Sequence, residues 1–226
     1  MITSMQEVNL SSLVRCPLLT RTGRQNKIYS FAQDYPEIYI LNDFISGHLR
    51  TRGTCDGKYP MPYLDMIEKL FGRESNTIEV CSRSIVADNE HTAFTVDLNP
   101  DFKPSLVTDG QTLAGVRPNK FDRWRCDPPY NSETAGKMYG SDLPSYYKLL
   151  EAGARVCKKG SLMFLLLGPT NYQIHPSGIK RIGLIFLSVV PNNEIRCCNI
   201  FYKYSDTNDS SHQSQLDSDA KEESGY

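Results

Sequence analysis

Phe121-Asp122-Arg123-Trp124-Arg125-Cys126-Asp127-Pro128-Pro129-Tyr130-Asn131 is the stretch that decides the fold. It reads as a buried strand that runs straight into two prolines. Neither proline can donate a hydrogen bond, and both have fixed φ, so the strand must end in a stiff, extended turn. That turn presents the Asp127 carboxylate and the proline carbonyls as acceptors beside the Tyr130 ring. Acceptors without donors, next to an aromatic face, suit a planar substrate with an exocyclic NH2 group. Such a group gives both hydrogens to acceptors while its ring stacks on tyrosine.

Outward from this turn the same pattern recurs. Thr77-Ile78-Glu79-Val80, Ala93-Phe94-Thr95-Val96-Asp97, Leu106-Val107-Thr108-Asp109-Gly110 and Ser161 to Leu167 are short apolar runs. Each ends at or near Asp, Glu, Gly or Pro. Such runs are expected of buried parallel strands, whose two faces are both covered. In an open α/β sheet, ligands bind outside the carboxyl ends of the strands, where these acids fall. The separation between Glu79 and Asp97 is close to that at which an acid on the second strand meets ribose hydroxyls. Lys58 to Phe71 reads as an amphipathic helix with Pro62 in its first turn and Leu64, Ile67, Leu70 and Phe71 on one face. Residues 143–157 read as a second helix. Arg181 to Val190 and Ile195 to Tyr202 flank Pro191-Asn192-Asn193-Glu194, a hairpin signal that closes the sheet.

The tetrapeptide Asp127-Pro128-Pro129-Tyr130 resembles the signature of AdoMet-dependent amino-methyltransferases, which methylate N6 of adenine or N4 of cytosine. Close variants occur in enzymes that methylate N2 of guanine in RNA. The resemblance covers roughly residues 40 to 203 and implies a single Rossmann-like class I methyltransferase domain. Its fold class is α/β, with a mostly parallel seven-stranded sheet and a terminal antiparallel hairpin. It also implies S-adenosyl-L-methionine as cofactor. Asp127, Pro128, Pro129 and Tyr130 are then the catalytic residues, with Asp127 and the Pro128 carbonyl taking the two amino hydrogens. Glu79 and Asp97 would hold the cofactor, and Asp109 is the candidate partner of its adenine amine. The small side chains Cys81 and Ser82 would leave it room, and Tyr59 and Met61 would lie near its methionine part. One departure is plain. The family pattern acid-x-x-x-Gly-x-Gly meets Arg83 and Ile85 where glycines are expected, although glycine there permits close backbone approach and unusual φ.

The charge pattern divides the chain. Residues 204–226 hold six acidic residues and one Lys, a net −5, whereas the remainder carries +4. That Ser-, Asp- and Gln-rich tail has little to bury and is expected to be disordered. The domain organisation is therefore an extension over 1–40, the methyltransferase domain over 41–203 and an acidic tail over 204–226. Arg117, Lys120, Arg123 and Arg125 read either as a phosphate-backbone contact near the pocket or as the exposed face of an edge strand. Asn131 to Asp142 reads as a mobile loop over the pocket. No inserted segment is long enough for a separate recognition domain. Target recognition is thus expected from that loop, from Tyr29, Phe31, Tyr35 and Tyr39, or from a partner subunit or second copy of the chain.

The seven cysteines show no Cys-x-x-Cys pair and no histidine at zinc spacing, so reduced thiols in a cytoplasmic protein and no metal are expected. No apolar run is long enough to span a bilayer, so no membrane partner is expected. Three readings follow: N6-adenine methylation of DNA, methylation of an exocyclic amine in RNA, and a degenerate copy acting as a nucleic-acid-binding subunit. Nucleic acid is the expected partner throughout, DNA before RNA, because the tetrapeptide begins with Asp and Asn131 follows it.

Overall fold

The computed structural model describes residues 40–45, 63–83, 85, 87, 92–140, 142–168, 174–189 and 194–206. The expectations on Tyr59, Met61, the aromatic residues before residue 40 and the tail from residue 207 lie outside them.

Among the described residues, eight strands form one sheet. They are β1 (Ile40–Ile45), β2 (Thr77–Val80), β3 (Phe94–Asp97), β4 (Leu106–Val107), β5 (Phe121–Cys126), β6 (Cys157–Leu167), β7 (Ile179–Val189) and β8 (Glu194–Lys203), in the spatial order β1-β7-β8-β6-β5-β2-β3-β4. Only β8 runs antiparallel to its neighbours, inserted between β6 and β7. This is the expected Rossmann-like, mostly parallel α/β sheet, with an antiparallel hairpin at its end. The seven expected strands are all present as β2 to β8, and one more joins them. The additional strand, β1, pairs in parallel with β7 at the sheet edge. Its sequence breaks its apolar residues with Asn42-Asp43, so no strand pattern announces it; the open edge of β7 recruits it.

Helices cover both faces. In α1 (Tyr63–Phe71), Tyr63, Met66, Ile67, Leu70 and Phe71 are buried, and they pack with Phe164, Leu166, Ile185 and Ile200. Its carboxyl end is held by β5: Arg123 donates from Nη1 to the Gly72 carbonyl at 2.7 Å and from Nη2 to that of Phe71 at 3.3 Å. Orphan carbonyls at a helix end favour a cation there. On the other face, α3 (Tyr146–Val156) buries Leu149, Leu150, Ala154 and Val156 against Trp124, Met163 and Leu165. Gly153 lets that helix approach closely, since a Cβ there would sit 2.8 Å from the Trp124 ring.

The segment expected to be a mobile loop contains instead α2 (Ser132–Tyr139). Asn131 caps it by accepting from the Thr134 N–H at 2.8 Å, and Gly140 ends it at φ 61°. An Asx cap followed by a left-handed glycine is a helix signal that the polar composition concealed.

Arg123 and Arg125 take neither role expected of them, because both are buried. Arg125 stands directly opposite Glu79 across the β2–β5 pair and donates from Nε to its Oε2 at 2.8 Å. The Arg125 guanidinium also reaches Thr92 Oγ1 at 2.7 Å. The two ion-pair side chains are 1% and 0% exposed, so neither charge has water to fall back on. Breaking a buried pair from one side strands the other charge. Arg125→Met alone should therefore lower unfolding stability by about 3–5 kcal/mol in urea titrations, whereas Arg125→Met with Glu79→Leu should recover most of that loss.

Candidate active site

The sheet reverses its strand order between β2 and β5, so the crevice for a ligand opens at their carboxyl ends. Register decides what stands there. Val80 pairs with Val96 on one side and Cys126 on the other, which puts Cys81, Asp97 and Asp127 in one row along that edge. A cleft of about 290 Å3 lies above the row, lined among others by Cys81, Asp97, Asp109, Gly110, Pro129 and Leu143. A larger cleft of about 460 Å3, lined by Arg117 and Lys120, opens at the start of β5, the other end of the strand that carries Asp127. Those two basic residues are thus also separated from the Asp127 turn.

Asp97 is 1% exposed, and its carboxylate anchors the turn after β2. Oδ2 accepts from the Arg83 N–H at 2.8 Å and Oδ1 from the Asn99 N–H at 2.9 Å. Burial raises its pKa against the lowering effect of these backbone donors. A carboxylate has about four acceptor positions, so capacity remains for hydroxyl groups. Asp109 shapes the neighbouring wall, accepting from the Gln111 N–H at 2.8 Å. Gln111 in turn accepts from the Ser145 N–H at 2.9 Å, which ties this wall to the start of α3.

The missing glycines have a structural answer. Cys81 and Arg83 adopt left-handed φ of 57° and 48°, so the position where the family has its first glycine keeps the glycine conformation with an arginine in it. Left-handed backbone costs a non-glycine residue about 1–2 kcal/mol. Two hydrogen bonds hold the turn against this cost: the Ser82 N–H donates to the Val96 carbonyl at 3.1 Å, and the Arg83 N–H donates to Asp97. The Ser82 hydroxyl is buried with no hydrogen-bond partner among the described residues. Ile85, at the second glycine position, packs instead against the α1 cluster.

The structure separates Glu79 from the other acids. It is fully buried, pairs with Arg125 and does not line the cleft, so the expectation that it holds a cofactor is corrected to a structural role. Alternation explains this: Ile78 and Val80 face the α3 core, which leaves Glu79 on the opposite face of β2.

Asp127 is 5% exposed at the end of β5. The Tyr130 hydroxyl donates to its Oδ1, and Arg196 Nη1 lies 3.9 Å from its Oδ2. The same guanidinium sits over the Tyr130 ring, 5.0 Å from its centroid. Burial raises the Asp127 pKa, opposed by the Arg196 charge, the Tyr130 hydrogen bond and the Arg83 charge. Burial pushes the Tyr130 hydroxyl well up, and the Asp127 charge adds to this. Leu98 and Leu143 are 43% and 38% exposed on the walls of the cleft, two apolar surfaces left for a ligand to cover.

Sequence reasoning missed Arg196, Leu98 and Leu143. Leu98 follows an expected strand-end acid and was within reach of that logic, whereas Arg196 arrives from 69 residues beyond Asp127 and has no local signal. His175 lies against Phe201, with ring centroids 5.9 Å apart, and does not line the cleft. The five cysteines among the described residues are free thiols, with Cys81 and Cys126 sulfurs 3.9 Å apart. No group of three or more metal-ligating side chains occurs among the described residues. No described helix is long and apolar enough to cross a membrane.

No protein-family model and no curated protein sequence matches this chain. Solved structures match parts of its fold. TrmN from Thermus thermophilus is 14% identical over 58% of this chain and 45% of its own, with a TM-score of 0.41. A structure describing the conversion of a disulfide bond into a thioacetal group during echinomycin biosynthesis is 13% identical over 74% of this chain and 90% of that chain, with a TM-score of 0.44. The chain thus spans less than half the length of the Thermus thermophilus protein it matches. The fold assignment stands on the order and direction of the strands themselves.

Proposed function

We propose that this chain transfers a methyl group from AdoMet to the exocyclic amine of a nucleobase, with N6 of adenine in DNA as the leading substrate. The observation that carries this reading is the meeting of Asp127-Pro128-Pro129-Tyr130 with the Asp97 cleft at the reversal point of the sheet. The acceptor-rich turn and the cleft meet at Pro129. The residues fit AdoMet: Asp97 for the ribose hydroxyls, Asp109 for the adenine amine, and Leu98 and Leu143 as apolar walls for its ring. When bound, AdoMet supplies an activated methyl group.

The chain's own residues supply the rest. A base enters after flipping from its stack, at a cost of about a few kcal/mol in duplex. Tyr130 gives up its contact with Asp127 and offers its ring for stacking. Asp127 and the Pro128 carbonyl accept the two amino hydrogens, which turns the nitrogen lone pair toward the cleft. Positioning is the main contribution to rate, as no residue here acts as a nucleophile. RNA is the second reading, supported by the short strand connections: 108–120 joins β4 to β5 without room for a recognition domain. A partner subunit or a second copy would then supply the target sequence.

Calorimetry on the full chain should detect AdoMet binding, weakened at least tenfold by Asp97→Ala; no heat at millimolar cofactor would favour the degenerate, binding-only copy. Asp127→Asn should keep AdoMet binding and lose about a hundredfold or more in methyl transfer, scored with labelled cofactor on DNA and RNA oligonucleotides. The pH dependence follows from the acceptor role. Asp127 must be ionised, and burial raises its pKa, so transfer should be complete above that pKa and fail as pH falls through it. The acid limb of kcat should therefore lie above the ordinary aspartate range, and a limb within that range would sink this assignment.

A further inference from the structure

Arg196 contacts both functional groups of the catalytic turn, although it lies on another strand and no motif includes it. Its position is a consequence of topology. Because β8 is antiparallel, its first residues stand at the carboxyl edge of the parallel strands. Leu167 of β6 pairs with Cys197, so the next positions outward are Gly168 and Arg196. Gly168 lies against the catalytic turn: a Cβ there would sit 3.8 Å from the Tyr130 Cβ, in ordinary van der Waals contact.

The geometry of the contact is unusual for an arginine beside a carboxylate. Arginine and aspartate commonly form two parallel hydrogen bonds. Here Nη1 remains 3.9 Å from Oδ2, beyond hydrogen-bond reach, and Nε is buried without a partner among the described residues. A bidentate pair would occupy the acceptor positions of Asp127. At this distance the guanidinium supplies charge and leaves the lone pairs open. A buried carboxylate needs such a charge, because its ionised form is costly away from water. The same cation lies over one face of Tyr130, where its attraction for the ring fixes the ring plane.

We propose that Arg196 is a positioning residue of the catalytic turn, which keeps Asp127 an open, charged acceptor and holds the plane of Tyr130 for the incoming base. The substrate half of this statement rests on the methyltransferase reading; the Asp127 half does not. The charged and titratable groups around Asp127 are Arg196 from β8, Tyr130 from its own turn, Arg83 from the turn after β2, and the Cys126 and Cys198 thiols. Arg196 is the cation with the largest effect on Asp127.

The test is carboxyl-13C NMR titration of Asp127 in the full chain, with Asp127→Asn to assign its resonance. Arg196→Met should move the midpoint to higher pH, and Arg196→Lys, which keeps the charge, should restore it toward wild type. An unchanged midpoint in Arg196→Met overturns the proposal. Arg196→Gln, also neutral, serves the same comparison where the methionine variant does not fold. In parallel, the acid limb of methyl transfer on adenine-containing oligonucleotides should shift upward in Arg196→Met, with about a tenfold loss at its acid end. A wild-type chain that transfers no methyl group, but whose Asp127 midpoint still responds to Arg196, rejects the proposed function and leaves the role of Arg196 standing.

Discussion

The parallel pairing of β2 with β5 is the constraint on which the candidate site depends. It brings Val80 beside Cys126 in register, so that the residues following each strand meet at one edge of the sheet. The buried Glu79–Arg125 pair fixes that register from one face, and Ile78, Val80, Trp124 and Cys126 fix it from the other. A slip of one residue would expose the ion pair to the apolar core and turn the core residues away from α3. Register is therefore strongly specified here, and the site inherits its precision from the centre of the sheet rather than from its loops.

The turn after β2 illustrates how a strained conformation survives without glycine. Cys81 and Arg83 both hold positive φ, and the compensating contacts come from the neighbouring strand β3, through the Val96 carbonyl and the Asp97 carboxylate. Asp97 thus has two uses in the same place: it braces the backbone of the turn and faces the cleft. Strain of this kind persists where the surroundings over-determine it, and such sites cluster around ligands.

The turn at Asp127 to Tyr130 shows a related tension. Asp127 is buried deeply enough that its charged form is disfavoured. Arg196 eases this without closing the acceptor positions, and Tyr130 occupies one oxygen through its hydroxyl. Electrostatics inside a site of low dielectric are stronger than in water, so a charge held beyond hydrogen-bonding distance still matters.

The strands and the order in which they occur were legible from the sequence, because buried parallel strands are short apolar runs with punctuation at their ends. The turn at Asp127-Pro128-Pro129-Tyr130 was legible too, since two prolines dictate a turn locally. So were α1 and α3, whose apolar spacing is helical. Arg123 and Arg125 were not, because alternation along a strand cannot tell a solvated face from one covered by a helix. Glu79 was misassigned for the same reason: a strand-end acid points to the cleft or away from it according to register. The helix after Asn131 was hidden by its polar composition, and β1 was recruited by an open edge far away in sequence. Arg196 belongs to the same class. Sequence by itself determines what each segment can become, through propensity, periodicity and fixed dihedrals; which side chains meet is decided by strand order and register, which are long-range pairings with no local signature.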